Sequence, residues 1–280
     1  MDGRAELGAF LRSRRARIKP EDAGLARYGE RRRVPGLRRE ELAQLAGVSV
    51  DYYVRFEQGR GETVSDTVIG SVATALALTG TERTHLFNLA RAISPGPAVA
   101  PQRQQLRPGQ QALLDSMTTT PAYVVGRRTD IIGFNALYAE LLGSLATVPP
   151  AHRNTAWLVF LDDDVRGRYV NWESKARNVV AYLRMDAGRH PGDPALAALA
   201  EELTNRSEDF RRLWADHEVA DRTHGGYSMR HPTAGDLTLN YESFQASDDP
   251  DLSLIAYSAE PGSPSHAALN ALAEHAPLRH

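Results

Sequence analysis

Apolar residues in the first third of the chain recur at helical spacing, in short runs. Leu7, Phe10, Leu11 and Ile18 mark one face of a first helix. Gly24–Gly36, with its glycines and Pro35, reads as a loop. Arg38–Ala46 and Ser49–Gln58 read as two helices separated by Gly47-Val48. Asp66 opens a fourth helix through Leu76, and Thr81-Glu82-Arg83 a fifth through Ala90. The pattern breaks at Ser94–Pro101, which is proline-rich. Beyond it Leu106–Met117 predicts a helix, and Ala122–Gly126 with Asp130–Phe134 predicts a hairpin turning at Arg127-Arg128-Thr129. Asn135 is placed to cap a helix over Ala136–Leu142. Long helical patterns cover Trp172–Gly188 and Pro194–Trp214, the latter with Asp193 as N-cap. Strand patterns follow at Gly226–Arg230, Leu237–Phe244 and Leu252–Ala259. The period changes from helical to alternating, so the expected fold is an all-α first domain followed by an α+β domain. That second domain would hold four or five antiparallel strands, with helices between the second and third.

At 280 residues the chain exceeds the usual single-domain size. The expected division is residues 1–94, a linker over 95–105, a second domain over 106–262, and a tail over 263–280 forming a short helix. The chain contains no cysteine, which excludes a disulfide framework, a cysteine-ligated zinc site and a thiol nucleophile. Its N-terminus is arginine-rich without an apolar stretch, and its apolar runs are too short for a bilayer, which implies a cytoplasmic protein with no membrane partner. The net charge of −2 conceals an asymmetry: 16 Arg and Lys face 12 Asp and Glu through Ser94. A basic first domain on an acidic body suits a polyanion at one end only.

The densest signal lies in Arg39–Gly59. A helix-turn-helix needs a small residue where its helices cross, and Ala43 supplies one. Four residues later it needs a left-handed turn, which Gly47 adopts without steric cost. Val48, Tyr53 and Phe56 then face inward with Leu42 and Ala46, and Ser49 becomes the N-cap. Ser49, Val50, Asp51, Tyr52 and Arg55 are left facing outward, where base edges of double-stranded DNA would lie. An ordinary helical hairpin would not need all these features together.

Leu7–Ala90 resembles the phage-repressor (XRE-type) class of helix-turn-helix domains. The phrases Pro35-Gly-Leu-Arg-Arg-Glu-Glu-Leu-Ala-Gln-Leu-Ala-Gly-Val-Ser-Val-Asp-Tyr-Tyr and Phe56-Glu-Gln-Gly-Arg-Gly are similar to those of MmyB-like regulators. So are Asn171-Trp-Glu, Ser207-Glu-Asp-Phe-Arg-Arg-Leu-Trp and Leu237-Thr-Leu-Asn-Tyr-Glu-Ser in the second domain. The resemblance implies a PAS-like C-terminal domain whose interior pocket takes a fatty-acid-like or other apolar ligand. It also implies that Arg39 contacts a phosphate and that Ser49, Val50, Asp51 and Arg55 read bases. Arg55 would fork onto guanine, Val50 touch a thymine methyl and Asp51 accept from cytosine. Arg31, Arg32 and Arg33 would form a phosphate clamp or minor-groove arm, or else a solvated loop. Aligning the first helix on the repressor pattern sets Arg15 against Glu57 as a partly buried bridge, with a bidentate fork satisfying both carboxylate oxygens.

Other constellations are weaker. His217 and His224 are seven residues apart, not the four of a helical zinc site, and Asp162-Asp163-Asp164 lacks the spacing of a calcium loop, so no metal is expected. No nucleophile–base spacing or cofactor motif appears, so no enzyme is expected. Tyr123, Phe134, Trp157, Trp172, Trp214 and Tyr241 are candidate walls of an apolar cavity, although an aromatic of this kind taken singly more often packs a core than lines a site. Arg127, Arg128, Arg166 and Arg168 are candidate anchors for a carboxylate. A single recognition helix reads three or four bases, too few to select a promoter, so a homodimer on a near-palindromic operator is expected. Two alternatives stay open: the second domain as a dimerisation and docking module without a pocket, and an enzyme fused to a DNA-binding head.

Overall fold

The computed structural model describes residues 3–25, 36–60, 64–92, 104–143, 145, 147–221 and 223–275. They form two units. One takes the described residues of 1–101 together with 184–198 and 214–220; the other takes those of 102–183, 199–213 and 221–280.

The first unit is helical: α1 (Gly3–Arg17), α2 (Arg39–Ala46), α3 (Val50–Glu57), α4 (Asp66–Ala75) and α5 (Gly80–Ala92). Leu7, Phe10 and Leu11 of α1 are fully buried, with Leu42, Tyr53, Val72 and Leu86. Each large apolar side chain buried here contributes about 1.5–3 kcal/mol. Ile18, assigned to the first helix from its spacing, lies one residue past the end of α1 and packs partly buried against the same core. Local chemistry fixes the helix starts. Ser65 Oγ accepts the Val68 N–H at 3.3 Å and opens α4. Thr79 and Glu82 form a reciprocal box, the Thr79 N–H donating to Glu82 Oε2 at 2.9 Å and the Glu82 N–H to Thr79 Oγ1 at 3.3 Å.

The second unit is built on five strands: β1 (Ala122–Val125), β2 (Ile131–Phe134), β3 (His224–His231), β4 (Gly235–Gln245) and β5 (Ser253–Ser258). All neighbours are antiparallel in the order β2-β1-β5-β4-β3, the α+β, PAS-like plan. Tyr123 lies opposite both Phe134 and Ile255. Leu237, Leu239 and Tyr241 alternate inward along β4. Between the hairpin and β3 come α7 (Ala136–Leu142), α8 (Thr155–Leu161), α9 (Asp163–Arg168), α10 (Trp172–Arg189), α11 (Pro194–Arg206) and α12 (Glu208–Ala215); α6 (Pro108–Ser116) precedes β1. Asn135 Oδ1 caps α7 through the Tyr138 N–H at 2.9 Å, and its amide donates to the Met117 and Thr120 carbonyls.

One expectation needs correction. The single helix over Pro194–Trp214 is two, because Ser207 accepts the Phe210 N–H at 3.1 Å and starts a new helix. The expected tail is α13 (Pro264–His275), whose Leu269 and Leu272 are buried in the sheet's own core. By their contacts, residues 184–198 and 214–220 group with the N-terminal helices.

Candidate functional site

α2 and α3 are joined by the turn that the sequence requires. Gly47 caps α2 with φ 68° and ψ 31°, in the left-handed region. Ser49 Oγ accepts the Tyr52 N–H at 3.2 Å and sets the start of α3. Tyr53 and Phe56 turn into the core, while Val50 and Tyr52 stay 45% and 38% exposed, a high exposure for such side chains in a core-facing helix. Asp51 and Arg55 share this outer face and pair with each other at 3.0 Å. That pair is a solvent-exposed i,i+4 contact worth about 0.3–0.5 kcal/mol.

Glu57, at the end of α3, has no exposed surface. Its Oε1 accepts from Arg39 Nε at 3.0 Å and Nη2 at 2.6 Å, and the carboxylate raises the Arg39 pKa. Arg15 Nη2 lies 3.4 Å from Oε2, close enough to pair electrostatically but without hydrogen-bond geometry, and Arg15 Nη1 donates instead to the Leu37 carbonyl at 2.6 Å. The expected fork of Arg15 on both oxygens is not formed: Arg39 donates twice to Oε1, and Oε2 has no hydrogen-bond partner and faces Arg15 as an ion pair. The reason is the packing of the helices: Arg39 begins α2 and reaches across to the last residue of α3, while the Leu37 carbonyl draws Arg15 aside. Arg39 remains 44% exposed, so it can hold Glu57 and still face solvent. Arg31, Arg32 and Arg33 lie outside the described residues.

In the second unit a cavity of about 20 Å³, room for one water, opens between the sheet and α10. Tyr123, Tyr227, Tyr241, Ile255 and Tyr257 line it from the strands, and Lys175, Val179 and Tyr182 from the helix. Burial pushes the Tyr227 and Tyr257 hydroxyls far above the usual phenol range, so they are neutral donors. Tyr182 and Tyr241 share a hydroxyl–hydroxyl hydrogen bond of 3.1 Å, and Asn178 Nδ2 donates to Tyr227 Oη at 3.2 Å.

A family model described as the MmyB-like transcription regulator ligand binding domain matches residues 106–272, and a helix-turn-helix domain model matches residues 6–86. The chain belongs to the MmyB-like transcription regulators. No curated protein matches it. This MmyB-like regulator is thus a DNA-binding transcription regulator with a ligand-binding domain, both matched regions being of regulator type. No helix among its described residues is long and apolar enough to cross a membrane.

Of the six aromatics expected around a cavity, Tyr123 and Tyr241 line the cavity between the sheet and α10. Phe134 packs in the sheet core under Arg153, whose guanidinium lies 5.6 Å from the ring centre. Trp157 stacks on His152 at 4.2 Å and donates to Glu202. Trp172 donates to the Val159 carbonyl beneath Arg166, 3.5 Å from its ring centre. Trp214 belongs to the other unit, where the buried guanidinium of Arg184 covers its ring at 4.0 Å. Of the four arginines considered as anchors, three are paired elsewhere, Arg127 with Asp251, Arg128 with Asp130 and Arg166 with Asp209, while Arg168 Nη1 is buried without a hydrogen-bond partner and Arg168 does not line the cavity. What sequence reasoning missed is Lys175. The signal was present, since Lys175, Val179 and Tyr182 follow one another at i, i+4 and i+7 on one helical face.

Proposed function

We propose that this regulator binds its operator as a homodimer, each α3 entering a major groove, and that its second unit senses an apolar small molecule. The observation that carries the DNA side is the outer face of α3. Val50, Asp51, Tyr52 and Arg55 are exposed on a helix whose other face is locked in the core and whose start is fixed by Ser49 and Gly47. In this reading Arg55 leaves Asp51 to meet a guanine, Val50 meets a thymine methyl, and Arg39 touches a phosphate while Glu57 holds it in place. Two such heads are needed because one reads too few bases. A ligand that binds the two states of the dimer unequally then shifts operator affinity.

The test is fluorescence anisotropy on duplexes from the region upstream of the regulator's own gene, over a range of salt, with sedimentation to give the stoichiometry. A steep fall of affinity with salt and two chains per duplex are expected. A flat salt dependence, or one chain per site, removes the model. The small cavity favours a second reading in which the C-terminal unit only dimerises and docks proteins. Ligand binding separates the two.

A further inference from the structure

Resting on the operator reading above, we propose that Arg184, far along the chain from the helix-turn-helix, is a positioning residue for DNA binding. With Arg14 and Arg17 it clasps the end of α12 to α1, and α1 in turn fixes the end of α3. Residues 184–198 and 214–220 group with the N-terminal helices, so every residue of this clasp lies in the first unit. α12 ends on carbonyls that have no partner within the helix, and the turn after it adds more. Three arginines take them in succession. Arg184 Nη2 donates to the Trp214 carbonyl, Arg17 Nη2 to that of Asp216 at 3.2 Å, and Arg14 Nη2 to that of His217 at 2.7 Å. Cations are favoured at this negative end of a helix. Arg184 Nη1 also meets the Glu6 carboxylate of α1 and donates to His217 Nδ1 at 3.0 Å. Arg14 Nε lies 2.7 Å from Glu82 Oε1 of α5, and Arg17 Nη2 lies 2.6 Å from Glu218 Oε1.

Three guanidinium groups thus meet three carboxylates, with Arg184 and Arg14 buried. A buried ionic network adds little stability over apolar packing, but any shift of its members strands a charge, so it holds one arrangement. α1 carries that arrangement to α3. Glu6, Arg14 and Arg17 sit in the clasp, while Arg15, about 100° further round the helix, faces Glu57 Oε2 at 3.4 Å. Gly8 brings α1 directly onto the end of α3: a methyl there would stand 2.6 Å from the Glu57 carbonyl oxygen. α1 therefore cannot shift without disturbing the last turn of the recognition helix. Gly188 does the same for the last turn of α10, where an added methyl would stand 2.5 Å from Nδ1 of His85 on α5.

The test uses the full chain and two variants. Arg184→Met removes the charge at nearly constant length. Gly188→Ala favours the helix but drives a methyl against the His85 ring, displacing the last turn of α10 without touching a charge, and it serves if the first variant fails to fold. Fluorescence anisotropy on the operator duplex and on a duplex of scrambled sequence is combined with hydrogen exchange of the α3 and α4 amides. Each variant should weaken operator binding about threefold to thirtyfold, the scale of coupling carried through packed elements, and leave the scrambled duplex unchanged. Exchange should quicken in α3 and not in α4. Equal loss on both duplexes, or equal quickening of α3 and α4, makes Arg184 a residue of stability alone and overturns the proposal. Unchanged operator binding in both variants overturns it too. If the unsubstituted chain prefers no duplex, the operator reading fails by itself and the exchange measurement decides the clasp: α3 no faster in either variant overturns its link to the recognition helix, and α3 alone faster upholds it.

Discussion

Replacing Glu57 with glutamine keeps the volume at the end of α3 and removes only the charge. Its two oxygens serve different partners. Oε1 takes two N–H groups from Arg39, at 3.0 and 2.6 Å, while Oε2 faces Arg15 at 3.4 Å. Arg15 is 13% exposed, so removing the anion strands a largely buried guanidinium, a loss of about 3–5 kcal/mol for a genuinely buried pair. Arg39 is 44% exposed and recovers water, so its share falls to about 1 kcal/mol or less. Some of the Arg15 loss is recovered too, because the guanidinium keeps its bond to the Leu37 carbonyl at 2.6 Å. The expected cost of Glu57→Gln is therefore about 3 kcal/mol, at the lower end of the buried range. Arg39→Ala should cost about 1–2 kcal/mol, and Arg15→Ala more, since it also leaves the Leu37 carbonyl without this donor. Urea unfolding of the full chain gives the totals, and hydrogen exchange of the α2 and α3 amides assigns them to this unit. A loss below 1 kcal/mol in Glu57→Gln, or a larger cost for Arg39→Ala than for Arg15→Ala, would refute the reasoning.

Acid should weaken the helical unit. Burial first, and then Arg14, hold the His85 imidazole down to about 3, and His217 is held at about 4 by burial and by Arg184. Both lie below the unfolded value of about 6.5, so the unfolded chain binds more protons and stability is lost as pH falls from about 6.5 towards these values, by about 2 kcal/mol per histidine at pH 5. His85→Leu should remove about half of that slope in urea midpoints measured on either side of it; an unchanged slope counts against the assignment. Gly47→Ala should cost about 1–2 kcal/mol through backbone strain alone, since no atom lies within 4 Å of the added methyl. A thermal shift near zero would show that the turn relaxes out of the left-handed region. Arg55→Ala should flatten base preference at one operator position by about 1–3 kcal/mol while leaving non-specific affinity nearly intact. Uniform weakening across a panel of mutated operators would make Arg55 a phosphate contact instead.

Local sequence determined the parts of this protein whose causes are local. Gly47 must be left-handed, Ser49 and Asn135 must cap, and Leu237, Leu239 and Tyr241 must share one strand face, because each follows from backbone sterics, one side-chain hydrogen bond or a period of two. The outer face of α3 was legible for the same reason: once its inner residues are fixed by the core, helical geometry leaves the rest outside. Partnerships across the fold were not legible. Arg15 and Arg39 present the same fork to a carboxylate, and only the packed positions of α1 and α2 decide that Arg39 takes Glu57 while the Leu37 carbonyl claims Arg15. Likewise the aromatics of the second domain read alike along the chain, yet the strand order β2-β1-β5-β4-β3 brings Tyr123, Tyr227, Tyr241 and Tyr257 around one cavity, while Trp157 stacks on His152, Trp172 donates to the Val159 carbonyl and Trp214 lies under Arg184. A helical stripe shows that Lys175 shares a face with Val179 and Tyr182. Whether that face meets solvent or a ring of tyrosines depends on which sheet it packs against, and that is settled only when the chain closes on itself.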